Sequence, residues 1–339
     1  MRFGNVAIAG MAHLEAPHRL TSTEIDARLR DTMARLGMRA GLLEGLSGIV
    51  ARRFWDEGTM PSDVAAKAAE LALERADLPR DRVGVCVNTS VCRDWVEPST
   101  ACIVHGKLGL PATAMNFDMG NACLAFMNGM DVVAAMVERG AIDYGLIVDG
   151  ESSRHVIDST IARLNRPEST DHDFRNQFAA LTLGSGAAAM ILCRADRHPD
   201  APRYLGSTTR AATEFSHLCR GQNDYMETDT RTLLEQGLLL AQRTWQAAVA
   251  ERQDWRAEAM DELVIHQVSS VHTEMLAELL GLDLQKVLRV YPEHGNIGPA
   301  GVPFVLSKAL EQGRIDKGAR VALMGIGSGL NCAMGEVRF

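Results

Sequence analysis

The chain has 339 residues, 46% of them hydrophobic and 23% charged, with a formal net charge of −8. That balance belongs to a folded protein of one large or two medium domains. The acidic excess and the lack of a basic run argue against nucleic acid or an anionic membrane surface as a partner.

Residues 3–9 read as a buried strand, too short and too soon broken by Gly10 for a leader or a membrane segment. Thr21 or Ser22 caps a helix reaching about residue 36. Pro61-Ser62-Asp63 opens an amphipathic helix over 64–76, with Ser62 as its cap. Residues 82–88 form a buried strand, with β-branched Val83, Val85 and Val87. A turn over 89–97 leads to Pro98, which suits the first position of a helix ending at Gly109. A short strand at 115–117, a glycine-bearing turn and a long apolar helix from 123 to about 139 follow, then a strand at 144–149. The polar stretch 152–178 reads as a surface excursion, 179–193 as a strand pair around a glycine turn, and 198–202 as a linker. Beyond it come strands at 204–210, 263–267, 321–324 and 332–337, and helices at 229–250, 269–280 and 299–312. Alternating strands and helices predict a mostly parallel sheet covered by helices.

One pattern repeats. Glu138-Arg139-Gly140-Ala141-Ile142-Asp143 precedes one strand, and Glu311-Gln312-Gly313-Arg314-Ile315-Asp316 precedes another, 311 − 138 = 173 positions later. A repeat at this scale means two halves of one fold, here 1–195 and 203–339. The same offset carries Cys123 onto Asn296, since 123 + 173 = 296. The two would face each other across a pseudo-dyad.

Seven cysteines occur, with no Cys-x-x-Cys spacing and no His at zinc-ligand spacing, so no metal site is expected. Reduced thiols fit a cytoplasmic location. Cys123 differs from the other six because a strand hands over there to a helix start, between small neighbours. Unpaired N–H groups and the helix dipole should lower its thiol pKa and favour a nucleophile. Three features of the second half could serve it: His266 at a strand end, Asn296 in a Gly-Asn turn, and the glycine-rich loop 325–331. His and Asn can move protons and stabilise an oxyanion. Each alone has a plain structural reading: a packed thiol, a satisfied histidine, a turn asparagine.

Together the motifs Asn121-Ala122-Cys123-Leu124-Ala125-Phe126, Val264-Ile265-His266-Gln267, Glu293-His294-Gly295-Asn296-Ile297-Gly298-Pro299 and Gly325-Ile326-Gly327-Ser328-Gly329-Leu330-Asn331 resemble the Cys-His-Asn constellation of the thiolase superfamily. Their arrangement is that of ketoacyl-ACP synthase III, and above all of the branch that begins long-chain olefin biosynthesis. The resemblance spans nearly the whole chain, including Val96-Glu97-Pro98-Ser99 and Leu218-Cys219-Arg220-Gly221. It implies an α/β thiolase fold, two pseudo-duplicated halves in a five-layered αβαβα sandwich, usually a homodimer. It further implies non-decarboxylative Claisen condensation of two fatty acyl-CoAs, with no cofactor beyond the coenzyme A thioesters themselves. Cys123 would carry the first acyl group, His266 and Asn296 would stabilise the second, and Cys123 with Ser328 would form the oxyanion hole. Glu97 would be the base for the α-proton, acting in the partner subunit's site. Olefin-pathway enzymes would act downstream. Ala125, and Gly327-Ser328-Gly329 in place of three glycines, depart from ordinary ketoacyl-ACP synthase III. The alternative reading is a decarboxylative condensing enzyme or an acyltransferase of that type.

Overall fold

Each half of the chain begins with a strand that finishes beside the last strand of its own half. The computed structural model describes residues 1–252 and 254–339. The strands that form its main sheet are β1 (Val6–Glu15), β2 (Val83–Asn88), β3 (Met115–Asp118), β4 (Tyr144–Glu151), β5 (Gly186–Arg194), β6 (Arg203–Ala211), β7 (Glu262–Ile265), β8 (Arg320–Gly327) and β9 (Asn331–Arg338). Among the described residues these nine strands run in the order β7-β8-β9-β6-β1-β5-β4-β2-β3. The first half thus reads β3-β2-β4-β5-β1 and the second β7-β8-β9-β6. They are the same succession except that the second half has no counterpart of β3. The halves join where Ala7 of β1 meets Arg203 of β6.

The expectation of a mostly parallel sheet fails. Only β2 with β3, β2 with β4, and β7 with β8 pair in parallel. The pairs β1–β5, β4–β5, β8–β9 and β9–β6 are antiparallel. The reason is topological. In each half the last strand turns back, and the first strand then adds to it antiparallel. Alternation of strands and helices in the chain does not reveal which strands become neighbours.

Strand periodicity sorts the layers, because successive side chains point to opposite faces. Val85, Val87, Ile147, Val264, Val321 and Leu323 face a central layer. Their neighbours face outward, Cys86, Leu146 and Val148 to one side and Leu263, Ile265 and Met324 to the other. The central layer is α3 (Ala125–Glu138) and α6 (Gly301–Glu311), and both share one core with the inward strand faces. Helix α3 is apolar almost all round, as a helix between two sheet faces must be. Each of its buried Phe126, Met127, Met130 and Val133 contributes roughly 2 kcal/mol by leaving water. The outer layers are α1 (Pro61–Arg75) with α2 (Thr100–Leu108) on one side and α4 (Thr230–Glu251) with α5 (Ser270–Leu280) on the other. The result is the five-layered αβαβα sandwich. Gly140 and Gly313, the two stops of the repeat, both take left-handed φ, +71° and +67°, which ends a helix at little steric cost in glycine.

Local departures have local causes. Met60 caps α1, with Pro61 at its first position, while the Ser62 hydroxyl bonds Asp94 instead. Pro98 precedes the helix: Ser99 caps α2 by accepting from Cys102 N–H at 3.2 Å. Thr21 does cap a helix, in a reciprocal box with Glu24, but that helix stops at Arg28 and a second runs Arg30–Arg35. The stretch 152–178 holds two helices, Arg154–Leu164 and Asp171–Gln177. Val156, Ile157, Ile161 and Leu164 pack with Ile25, Leu29 and Leu43 into a separate small core. Residues 179–193 make a 3-10 turn, Phe178–Thr182, and one strand rather than a pair.

Candidate active site

Strand β3 ends at Asp118, a turn follows, and a single 3-10 turn, Ala122–Leu124, leads into α3. Cys123 lies in that 3-10 turn and lines a cavity of about 540 Å³. His266, Asn296 and Ser328 line the same cavity. Glu97 does not; it is exposed on the loop before α2, beside Trp95 and Val96, which are 63% and 83% exposed.

Each cavity group is held from behind. His266 follows β7 and shares the inward parity of Val264, and its N–H donates to Met324 O at 2.8 Å. Its Nδ1 is buried without a partner among the described residues, beside Gly301, which leaves Nε2 to the cavity. Asn296 is fixed through its main chain: its N–H donates to Thr182 O at 2.9 Å and its carbonyl accepts from Gly184 N–H at 2.8 Å. Its Oδ1 accepts from Gly298 N–H at 3.0 Å, so its NH₂ is the group turned to the cavity. Gln267 clamps the approach to this turn, donating to Leu288 O at 2.6 Å and accepting from Val290 N–H at 2.8 Å. The glycine loop is pressed onto the cysteine turn. A Cβ at Gly327 would stand 3.0 Å from both Asn121 O and Leu124 N and 3.3 Å from Cys123 N. Asn331 donates to Asn121 at 3.0 Å and ties the two turns together.

The electrostatics reverse one expectation. Burial pushes the Cys123 thiol up to about 12, and the nearby Cys219, Glu151 and Asp149 push the same way. Hydrogen bonding at the helix start acts in the expected direction but is the weakest influence. Cys123 therefore rests as a neutral thiol. Burial, with His272 adding a little, lowers His266 to about 3, so its imidazole is neutral and has a free lone pair. A neutral acid beside a neutral base can pass a proton as the thiol attacks.

The cavity also contains residues to which the sequence assigned no role: Glu151, Cys92, Cys219 and His272. Parity held the signal for one of them. Ile147 faces inward, so Asp149 and Glu151 must as well, although the apolar run itself ends at residue 149. His272 sits in the first turn of α5, where only the helix pattern was read.

Comparison with known proteins fits this geometry. The model for 3-oxoacyl-[acyl-carrier-protein] synthase III matches residues 117–211, and that for its C-terminal part matches 250–339. The acyl-CoA:acyl-CoA alkyltransferase of Xanthomonas campestris is 54% identical over 337 residues, 99% of either chain. The chain belongs to the acyl-CoA:acyl-CoA alkyltransferase family. The Shewanella oneidensis alkyltransferase is 34% identical over 98% of this chain and 99% of its own. Among solved structures, cerulenin-bound X. campestris OleA superposes with a TM-score of 0.98 at 53% identity, covering 100% of this chain and 98% of that one. A serine-for-cysteine variant of that OleA, bound to lauric acid and lauroyl-CoA, gives 0.97 at 53% identity, covering 99% and 100%. The alkyltransferase family has the thiolase fold, and in this chain Cys123, His266 and Asn296 meet in one cavity of that fold.

Proposed function

We propose that the protein joins two long-chain fatty acyl-CoA molecules head to head, by Claisen condensation without decarboxylation, giving a 2-alkyl-3-ketoalkanoic acid. The observation that carries this reading is the meeting of Cys123, His266 and Asn296 in one cavity of about 540 Å³ in a chain 54% identical to an acyl-CoA:acyl-CoA alkyltransferase. The Cys123 thiol attacks the first thioester carbonyl, its proton passes to His266, and coenzyme A leaves as a thiol. Burial disfavours a standing thiolate–imidazolium pair, so the proton moves to His266 as the sulfur attacks and not before. A base then removes an α-proton from the second acyl-CoA. The enolate carbon bonds to the acyl-Cys carbonyl, and the Cys123 sulfur departs and regains a proton. Hydrolysis of the remaining thioester gives the acid. The N–H of Cys123 and the Ser328 segment receive the oxyanion, and His266 with Asn296 stabilises the enolate oxygen. Coenzyme A thioesters are the only cofactor-like species this chemistry requires.

Glu97 is the proposed base, reaching the site of the partner subunit in a homodimer. Three features support this: Glu97 does not line its own cavity, apolar Trp95 and Val96 are exposed beside it, and the edge strand β3 carries Met115 at 50% exposure. No helix among the described residues is long and apolar enough to cross a membrane. A cytoplasmic location is proposed in keeping with seven free cysteines, and the β-keto acid would pass to downstream olefin-pathway enzymes.

Incubation with myristoyl-CoA tests the reading. Free coenzyme A and a β-keto acid of twice the chain are expected by mass spectrometry. Equal coenzyme A release by wild type and Cys123→Ala would refute it. Glu97→Ala should still acylate Cys123 but not condense; loss of acylation would make Glu97 structural.

A further inference from the structure

Asp149 and Glu151 stand two residues apart on β4, so their carboxyl groups share its inward face. They are almost fully buried, at 0% and 5% exposure. Burial raises the pKa of both, and Glu151 raises Asp149 further. In so dry a place, burial and mutual repulsion disfavour two negative charges on the pair. Thr89 donates its hydroxyl to Asp149 Oδ2 at 2.6 Å, and Asp149 Oδ1 has no partner among the described residues.

Glu151 touches three parts of the site. Its carboxylate accepts from Val91 N–H at 2.6 Å and from Cys92 N–H at 3.4 Å. It lines the Cys123 cavity. A Cβ on Gly298, in the Asn296 turn, would be 3.5 Å from its carboxyl carbon. The loop that begins at Val91 continues to Glu97. Farther along, Asp94 accepts from Ser62 N–H at 2.9 Å, and Asp118 accepts from Thr100 and Ala101 N–H at 3.0 and 2.8 Å. Glu151 is therefore the cavity-side anchor of the segment that presents Glu97. The titratable or charged groups facing the pair are Cys92 and Arg93 from this loop, Cys123, Cys219, and His266 with His272 across the cavity.

We propose that Glu151, backed by Asp149, is a positioning residue for the condensation: its carboxyl pins the loop carrying Glu97 and, from the wall of the Cys123 cavity, adds negative charge to the burial that keeps Cys123 a thiol at rest. This rests on the reading of Glu97 as the base. A resting thiol resists stray electrophiles and loses its proton only as it attacks.

Two variants test it in the full-length protein. Glu151→Gln removes the charge but keeps an oxygen for Val91 N–H; Glu151→Ala removes both. The first readout is alkylation of Cys123 by iodoacetamide against pH, measured by peptide mass. Both variants should alkylate about tenfold faster than wild type at one fixed mildly alkaline pH, as for a thiol pKa about one unit lower. The second readout separates acylation by myristoyl-CoA from formation of β-keto acid. Glu151→Ala should acylate normally yet lose condensation, and Glu151→Gln should recover part of it. Alkylation within about twofold of wild type in both variants, or acylation and condensation falling in proportion, would overturn the proposal. Should Glu151→Ala not fold, Glu151→Gln alone decides by the same readouts. A wild type that makes no β-keto acid would refute the proposed function instead, and alkylation, which needs no substrate, would still decide the role of the charge.

Discussion

The two halves share a strand order but not a chemistry, and the difference is concentrated in one turn. In the first half β3 delivers the chain to Ala122-Cys123. In the second, the stretch at the equivalent offset forms no strand, and Gln267 holds it through hydrogen bonds instead. The turns themselves correspond: Ala122 has φ +46° and Gly295, 173 positions on, has φ +68°. One copy presents a sulfur and the other an amide, to the same cavity. Two like turns thus flank one space, one bearing the proposed nucleophile and the other the proposed stabilising donors. The edge strand β3, which has no counterpart in the second half among the described residues, is where the proposed second subunit would approach.

That division of labour can be broken in order of effect. Cys123→Ala in the first half should lower coenzyme A release by about a thousandfold or more, because no other group forms the thioester. Asn296→Ala and His266→Ala in the second half should each lower β-keto acid formation by about a hundredfold, with Asn296→Ala leaving acylation nearly intact. Steady-state and single-turnover rates separate the two steps. Gly327→Ala tests the contact between halves. Its methyl would meet Asn121 O and Leu124 N at 3.0 Å, and a cost of about 1–3 kcal/mol in denaturant unfolding is expected.

The depressed histidine gives a pH test. His266 falls from 6.5 to about 3 on folding. As pH drops below the unfolded value, the unfolded chain takes up a proton that the folded chain refuses, so this residue costs about 1.4 kcal/mol per pH unit down to about 3. His266→Asn removes that dependence. Its Tm relative to wild type should rise as pH falls from about 7 to about 5; a constant difference would mean that the ring is not buried neutral. The smallest effect is expected at Ala122. Glycine there relieves a left-handed alanine worth about 1 kcal/mol and gives back part of that in chain entropy, so Ala122→Gly should change stability by under about 1 kcal/mol.

Much of this was legible in the chain. The 173-residue offset lies in plain residue identities, and it alone pairs Cys123 with Asn296. Strand parity also predicts that His266 faces inward with Val264. Other features were not legible, for stated reasons. The polar composition of 152–178 masked the apolar spacing of Val156, Ile157, Ile161 and Leu164. Helix–strand alternation could not say that the opening strand of each half pairs antiparallel. The raised thiol pKa is invisible locally, because a helix start is a local feature whereas burial and the Asp149–Glu151 pair come from distant segments. Glu151 was overlooked because a charged residue at a strand end reads as the strand's exit to solvent.

The most direct test is the intact mass of the Asn296→Ala variant after exposure to myristoyl-CoA. A first half that acylates and a second half that condenses predict a protein heavier by one myristoyl group, located on Cys123, with almost no β-keto acid released. An unmodified protein, or an acyl group on another residue, would contradict the assignment of the nucleophile to Cys123 and of the later step to Asn296.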